Sequence, residues 1–433
     1  MPPAGEVPKR PHGQGRGPDV FRLPGFPSYW AAGSVSEFGT YITTIALQVL
    51  VLTSLHGSAA DIGLVNASRW IPYLLFGLVV GALVERGRRK PVLIVADAVR
   101  GVLLGLIPLL WLLNALSVAT LMVFVAVFGM LSLVGDAAAQ SFLPRLVPRS
   151  TLLAANARID QSSSVAQTSG PAIGGAIVTL LGAPLAVLVD AASYLFSALA
   201  IARIRVVEPA PVHSLNAPRL GDEIREGLRW VYRHRVLGPY AVAVHVWFLF
   251  SSMLGTIFVP FMILDQHFSA FELGLTLSAA GVGGLVGSLF ATRIGLSWGA
   301  GPAVLVCYAA MPIGWVVIAL SPDASSGRGR WVALAALIIG QAVFGLALGA
   351  SNANEMGYRQ AVTPDALQGR TNTTMRSFNR AAIIVGAPLG GVLADTIGSR
   401  PTLWIAIGGF ILVFVALLLS PFRTASHLDV SEG

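Results

Sequence analysis

Three ionisable residues lie deep inside long apolar segments, and they are the first candidates for chemistry. Glu37 lies about 15 Å of helix from the start of the first apolar segment, and Arg69 lies about 12 Å from the start of the second. In a membrane core about 30 Å thick, these two side chains have similar depths. Asp190 lies within a later segment. A charge at such depth costs roughly 2.5 to 3.5 kcal/mol on insertion scales, so each of the three needs a partner or a wet cavity.

Glu37 and Arg69 are compatible with two roles. A carboxylate in a wet cavity can bind a proton or a cationic substrate, whereas an ion pair between the two side chains would only hold two helices together. The sequence favours neither role. Glu37, Arg69 and Asp190 are therefore the proton-coupling candidates.

A second set of charges surrounds a short turn. The stretch Gly81-Ala-Leu-Val-Glu-Arg-Gly-Arg-Arg-Lys90 lies between two apolar runs, which confines its charged side chains to a few residues. Such a turn joins two antiparallel membrane helices on one side of the bilayer. Asp97 and Arg100 follow one helical turn apart, and Asp136 lies near the end of the next segment. A turn that only anchored the protein would explain the bases but not these two acids.

The elements that must position these residues are membrane helices. The 433 residues are 55% hydrophobic and only 12% charged, whereas charged residues make up about a quarter of an ordinary soluble domain. Apolar windows of about 20 residues, the length that crosses a bilayer, recur along the chain. We predict an all-α membrane protein with twelve transmembrane helices, near 27–55, 61–84, 91–113, 117–140, 154–181, 184–203, 237–263, 270–294, 301–320, 331–358, 373–396 and 401–421.

The longest polar connection lies near the middle of the chain and separates six predicted helices from six. Within it, residues 222–232 have the pattern of a short amphipathic helix at the membrane surface. The predicted domains are a disordered cytoplasmic tail (1–25), a six-helix bundle (26–203), a cytoplasmic linker (204–236), a second six-helix bundle (237–421) and a cytoplasmic tail (422–433).

An internal repeat supports this division. A shift of 216 residues aligns the pattern Gly-x-x-x-Gly-Gly in the fifth predicted helix with the same pattern in the eleventh. Small residues let helix backbones approach closely, so the two helices are predicted to pack in equivalent ways. General glycine enrichment of membrane helices is the alternative. The residues concerned are Gly170, Pro171, Gly174 and Gly175 in the first copy and Gly386, Gly390 and Gly391 in the second.

The distribution of basic residues decides what the net charge of +8 means. Most of the 29 Lys and Arg fall on one side of the predicted topology, which is the positive-inside pattern and places both termini in the cytoplasm. The basic excess therefore does not indicate a nucleic-acid partner. The single Cys307 excludes an internal disulfide, and no metal or cofactor motif is present. A membrane enzyme would need a paired acid and base or a nucleophile elbow, and the sequence shows neither.

The turn signature resembles that of the major facilitator superfamily. It reads Gly81-x-Leu83-x-Glu85-Arg86 followed by Arg89-Lys90, with Glu at a position where that family usually has Asp. The resemblance implies two six-helix pseudo-repeats with a site between them near the midplane. It also implies that a conformational latch joins the turn to an acid on the fourth helix and to the start of the eleventh. Carried over, the latch residues are Gly81, Glu85, Arg86, Arg89, Asp97, Arg100 and Asp136.

A narrower resemblance covers the fourth to sixth helices. Leu143-Pro-Arg-Leu-Val-Pro148, Leu153-Ala-Ala-Asn156, Gly170-Pro-Ala-Ile-Gly-Gly175 and Asp190-Ala-Ala-Ser-Tyr194 resemble the enterobactin-exporter and macrolide-efflux branch of drug:proton antiporters. It implies export, and Gly170-Pro171 resembles the fifth-helix signature associated with antiport.

These observations predict a proton-coupled exporter of a small organic molecule, such as a drug, an antibiotic or a siderophore. It would be a multi-pass cell-membrane protein and a monomer, with its substrate, protons and membrane lipids as partners. An uptake transporter or a non-transporting sensor or scaffold of the same fold is the alternative. The substrate-cavity candidates are His245, Trp247, Asn352, Asn354 and Glu355.

Overall fold

The computed structural model describes residues 19–85, 87–206, 208, 220–324 and 327–426. These residues form thirteen α-helices. In the described part of the chain, ten helices are long and apolar enough to cross a membrane. The helices are α1 Phe26–Thr53, α2 Ala59–Glu85, α3 Arg89–Leu112, α4 Val118–Leu146, α5 Leu152–Leu181, α6 Ala183–Arg203, α7 Leu220–Arg233, α8 Leu237–Pro260, α9 Ala270–Trp298, α10 Ala300–Ala319, α11 Gly327–Val362, α12 Gln368–Ile397 and α13 Ser399–Leu419.

Helices α1–α6 form one packed group, the first bundle, and α8–α13 form the second bundle. In the first bundle α1 packs against α5 and α6, while α4 packs against α2 and α3. In the second bundle α8 packs against α12 and α13, and α11 packs against α9 and α10. The bundles meet along two helix crossings, α2 with α12 and α5 with α9. We call the end of the molecule where α1 begins and α13 ends the tail side, and the opposite end the far end.

Glycines allow the close approach of helices within and between the bundles. A Cβ at Gly170 or Gly174 would meet α1, and a Cβ at Gly386 or Gly390 would meet α8. The next glycine in each pattern faces the other bundle, because a Cβ at Gly175 would clash with the first residues of α9 and one at Gly391 with the first residues of α2. The first four glycines thus pack within their own bundle, and the last two set the spacing between bundles. Pro171 belongs to the α5–α9 crossing, where its carbonyl lies against Gly274.

The predicted amphipathic segment forms α7, which packs against α12 and α8. The predicted tails are in part ordered. Residues Val20–Arg22 form a 3-10 turn capped by Asp19, and Val20 is buried beside α1. At the other terminus, Phe422 is fully buried and its ring stacks on Tyr240 with centroids 4.7 Å apart. Residues 19–25 and 422–426 therefore pack on the bundles because each segment supplies apolar side chains to a core.

Candidate functional site

A chamber of about 500 Å³ lies between the two bundles. Its walls come from α1, α5, α9 and α11, and the polar side chains among them carry no charge. They are Tyr41, Thr44, Ser164, Gln167, Thr168, Ser288 and Asn352. Glycines and aliphatic residues complete the wall, so the chamber offers hydroxyl and amide groups on an otherwise apolar surface.

A charged recess of about 340 Å³ lies inside the first bundle, next to the chamber. Tyr41 lines both cavities, which places them side by side. The walls of the recess include most of the ionisable residues that the sequence places at membrane depth in the first bundle. These are Glu37, Arg69, Asp97, Arg100 and Asp136, together with Tyr73 and Tyr194.

Glu37 and Arg69 both line the recess, and the ion pair that was one of their two possible roles does not form. The Glu37 carboxylate accepts a hydrogen bond of 2.6 Å from the Ser163 hydroxyl of α5. The Arg69 guanidinium lies 5.7 Å from the ring centre of Trp70 and 5.8 Å from that of Phe128. Equal depth allowed the pair, but depth alone does not make two helix faces meet.

Asp190 is completely buried against α1. Its carboxylate accepts a 2.9 Å hydrogen bond from the Ser193 hydroxyl, and Gly39 leaves room for it because a Cβ there would overlap the carboxylate. Asp190 and Arg69 line a second, small cavity of about 40 Å³. Arg69 thus lies between the recess and Asp190, which brings the three proton-coupling candidates into one region.

The Asp97–Arg100 ion pair is buried within the first bundle. The two side chains bind each other on α3, and Asp97 also accepts a 2.6 Å hydrogen bond from Ser197 of α6. The Arg100 guanidinium lies over the Tyr194 ring, 4.5 Å from its centre. These contacts join α3 to α6 rather than to the turn after α2.

The predicted latch is only partly described. Gly81 and Glu85 belong to α2, but their side chains, like the whole of Arg86, lie outside the described residues. The backbone N–H groups of Arg89 and Lys90 each donate a 2.7 Å hydrogen bond to the Glu208 carboxylate, which therefore caps α3. Lys90 also donates through Nζ to two carbonyls at the end of α6. The described part of the turn thus binds the chain that follows α6.

Asp136 reaches the second bundle through an aromatic ring. It accepts a 2.8 Å hydrogen bond from the Tyr73 hydroxyl of α2. The Arg380 guanidinium of α12 lies over the Tyr73 ring, 4.3 Å from its centre, and 5.8 Å from the ring centre of Trp70. A chain of contacts therefore runs from α4 through α2 to α12.

Four hydrogen bonds join the bundles among the described residues, and all lie in the far half of the helices. The Asp395 carboxylate accepts from the backbone N–H groups of Ala59 and Ala60 at 3.0 and 2.9 Å. The Thr179 hydroxyl accepts from the Phe271 N–H at 3.0 Å, and the Ser278 hydroxyl accepts from the Ala172 N–H at 2.9 Å. Asp395 and Thr179 thus cap the first turn of a helix in the other bundle at the far end.

The second-bundle candidates divide into one chamber residue and four packing residues. Asn352 lines the chamber, whereas Asn354 is buried and donates to the Ala291 and Ala350 carbonyls, because residues two apart on a helix face opposite ways. Trp247 is buried between Phe248 and Phe410. Asn354 and Trp247 therefore do not line the chamber.

His245 and Glu355 are also tied into the second bundle. His245 lies between the Tyr232 hydroxyl at 2.8 Å and the Asn379 side chain at 2.6 Å, so it connects α7, α8 and α12. Glu355 accepts a 2.5 Å hydrogen bond from the buried Tyr240 hydroxyl. Neither side chain lines the chamber.

Four residues of the site were not predicted from the sequence: Tyr73, Arg380, Thr179 and Asp395. Two features of the sequence could have identified the last three. Arg380 is a charge within the eleventh predicted helix, and Thr179 and Asp395 are themselves 216 residues apart, each four residues after the last glycine of its pattern. The shift that aligned the glycines therefore also aligned the two capping side chains.

The chain matches one protein family along nearly its whole length. The family model described as "Transmembrane secretion effector" matches residues 19–432. The multidrug efflux pump Tap of Mycolicibacterium fortuitum is 28% identical over 91% of this chain and 94% of that protein. Macrolide efflux protein A of Streptococcus pyogenes is 22% identical over 94% and 97% of the two chains, and the enterobactin exporter EntS of Citrobacter koseri is 24% identical over 92% and 91%.

A solved structure shares the fold. The nucleoside transporter NupG superposes with a TM-score of 0.75 over 91% of this chain and 98% of its own, at 11% identity. At that identity the likeness concerns the fold alone. The resemblance to enterobactin exporters and macrolide efflux proteins, predicted from the fourth to sixth helices, is confirmed by the sequence matches.

Proposed function

Because the chain belongs to the transmembrane secretion effector family of the major facilitator superfamily, we propose that it exports a small organic molecule across the cell membrane in exchange for protons. The observation that carries the proposal is an uncharged chamber between two helix bundles that adjoins a recess lined by Glu37, Arg69 and Asp136. The substrate would occupy the chamber, and the recess would carry the titrating groups. The named relatives export drugs, macrolides and a siderophore, which makes these the substrate classes to try first.

The proposed architecture is twelve membrane spans in two six-helix pseudo-repeats. Ten helices qualify as spans by length and composition, and α2 and α5, with 27 and 30 residues, are long enough to be the other two. The equivalent packing of Gly170 with Gly386, Gly174 with Gly390 and Gly175 with Gly391 supports the repeat. The basic residues of the tail side favour its placement in the cytoplasm together with both termini.

The proposed mechanism is alternating access. The hydrogen bonds between the bundles hold the far end together, while the recess lies toward the tail side and the chamber lies near the middle of the helices. Under the proposed topology this arrangement is the inward-facing state, ready to take substrate from the cytoplasm. Export would require the far-end contacts to open and the tail-side ends of α2 and α12 to close.

Proton coupling is assigned to Glu37 and Asp190, with Arg69 between them. A proton taken up by either carboxylate would remove a negative charge that Arg69 helps to balance, and would therefore change the affinity of the neighbouring chamber for a charged substrate. The Asp97–Arg100 pair would instead hold α3 to α6, since both of its charges are satisfied within the first bundle.

The test uses everted membrane vesicles with an imposed proton gradient and a panel of macrolides, other antibiotics and siderophores. We expect a subset of the compounds to dissipate the gradient in vesicles that contain the protein. Glu37→Gln and Asp190→Asn should lose this coupling at least tenfold. Glu355→Gln, a carboxylate of the second bundle outside the chamber, is the matched control and should retain it.

Three results would count against the proposal. Full coupling in the Glu37→Gln, Asp190→Asn double variant would remove the assigned proton sites. Movement of substrate only in the opposite direction would indicate uptake. Saturable binding without vectorial movement for every compound that binds would indicate a sensor or scaffold.

A further inference from the structure

Helix α7 carries a row of arginines on the face that points away from the protein. Arg225, Arg229 and Arg233 are spaced four residues apart, so they form one stripe along the 14-residue helix, and all three are exposed. None of them takes part in an ion pair with a described residue. Two acids lie near the row: Asp222, one turn before Arg225, and the exposed Glu226, which binds Arg370.

The opposite face of α7 is fixed to the second bundle. Gly227, two residues from both Arg225 and Arg229 and hence on the other side of the helix, lies against the backbone of Arg370 and the Thr374 hydroxyl in the first turns of α12. Glu223 and Glu226 both bind Arg370 of α12. Two of the helix's acids therefore bind the second bundle, whereas the three arginines of the row stay exposed.

The position of α7 places the arginine row at the level of the lipid headgroups. Gly227 contacts the start of α12, and the Tyr232 hydroxyl bonds to His245, about 12 Å along α8 from its first residue. A helix that touches the first turns of α12 and a residue about two turns into α8 lies close to where those helices enter the bilayer. Trp230 and Tyr232 lie on the same helix, and aromatic residues of this kind are enriched at that depth.

We infer that the row formed by Arg225, Arg229 and Arg233 is a binding surface for the phosphate groups of anionic phospholipids. Guanidinium groups donate paired hydrogen bonds to phosphate, and three of them along one exposed stripe match a row of headgroups rather than a single small anion. The lipid contact would hold α7 in the membrane plane, and α7 in turn holds the start of α12 through Arg370. This inference does not depend on what the protein transports.

The experiment measures lipid binding by the full-length purified protein in neutral detergent micelles. Phosphatidylglycerol is titrated in, and retained lipid molecules are counted by native mass spectrometry, with phosphatidylcholine and inorganic phosphate as separate arms. The wild type should bind phosphatidylglycerol in a salt-sensitive way. Replacing all three arginines by Gln should weaken binding about 100-fold, since each basic residue near an anionic surface contributes about fivefold.

Three further variants make the test specific. Lys at all three positions should keep binding to within about threefold, and Arg328→Gln, an exposed arginine of the far end, should behave as the wild type. Asp222→Asn should tighten binding, which no damage to the fold would produce. Unchanged binding in the triple Gln variant, or displacement of the lipid by an equal concentration of inorganic phosphate, would overturn the inference.

Discussion

The two crossings between the bundles are built alike but carry different charges. In each crossing a glycine faces the first residues of the partner helix, and the side chain four residues later caps that helix. In the α5–α9 crossing the capping group is the Thr179 hydroxyl. In the α2–α12 crossing it is the Asp395 carboxylate, and Arg380 adds a second charge toward the tail side.

This difference indicates that the crossings serve the proposed conformational change unequally. A neutral crossing is insensitive to nearby protonation, so α5–α9 would act as a constant contact. The α2–α12 crossing has one charge at its far end and a second, Arg380, near the middle of α12, and the second lies over the tyrosine that binds Asp136 in the recess. Changes of charge in the recess should therefore alter the interaction energy of the α2–α12 crossing and hardly alter that of the α5–α9 crossing.

The two crossings share a glycine that lies against the first residues of the partner helix. Substituting these glycines should have the largest effect on the opening of the far end. Gly175→Ala and Gly391→Ala each place a methyl group against backbone atoms that cannot rotate away. We expect each to disfavour the closed far end by about 2 to 3 kcal/mol, a shift of roughly 30- to 150-fold. Distances between spin labels at the far ends of α2 and α12, and of α5 and α9, would report the opening.

Gly408→Ala is the control for this prediction. Gly408 lies in α13, and a Cβ there would have nothing within 4 Å. Its replacement should leave the label distances unchanged and stabilise the helix slightly, since Ala is a better helix former than Gly. If Gly175→Ala and Gly391→Ala behaved like Gly408→Ala, the glycines would not set the spacing of the bundles.

Substituting the capping residues tests how the two crossings differ, and the effect on far-end opening should be smaller than that of the glycine substitutions. Asp395→Ala removes a charged acceptor of two backbone hydrogen bonds at the N-terminus of α2, which we expect to cost about 2 kcal/mol. Thr179→Ala removes one neutral hydrogen bond, at about 0.5 to 1 kcal/mol. The same label distances should show that the ratio of open to closed far ends is about tenfold greater in Asp395→Ala than in Thr179→Ala. Equal opening would mean that charge makes no difference between the crossings.

The comparison also shows what could be predicted from this sequence. Apolar length located the membrane helices, and the spacing of Gly170, Gly174 and Gly175 indicated close packing, because both properties are local. Whether Glu37 and Arg69 pair could not be predicted from their equal depth, since the rotation of each helix depends on its neighbours. Asp395 and Ala59 are 336 residues apart in the chain, so only the folded arrangement of both bundles brings this cap to its helix.

The contact of Arg380 with Tyr73 should give the smallest effect, because it is a half-buried cation–π contact without a direct ion pair. Arg380→Gln would remove the charge that α12 presents to α2. We expect this to weaken the contact between α2 and α12 by about 1 kcal/mol, which is about fivefold in the population with this contact made.

Tyr73→Phe keeps the ring under Arg380 and removes only the hydrogen bond to Asp136. The distance between labels at the tail-side ends of α2 and α12 should therefore change in Arg380→Gln and match the wild type in Tyr73→Phe. A distance that changes equally in both variants would show that the ring contact and the hydrogen bond act as one unit, and that the charge of Arg380 alone does not set this crossing apart from α5–α9.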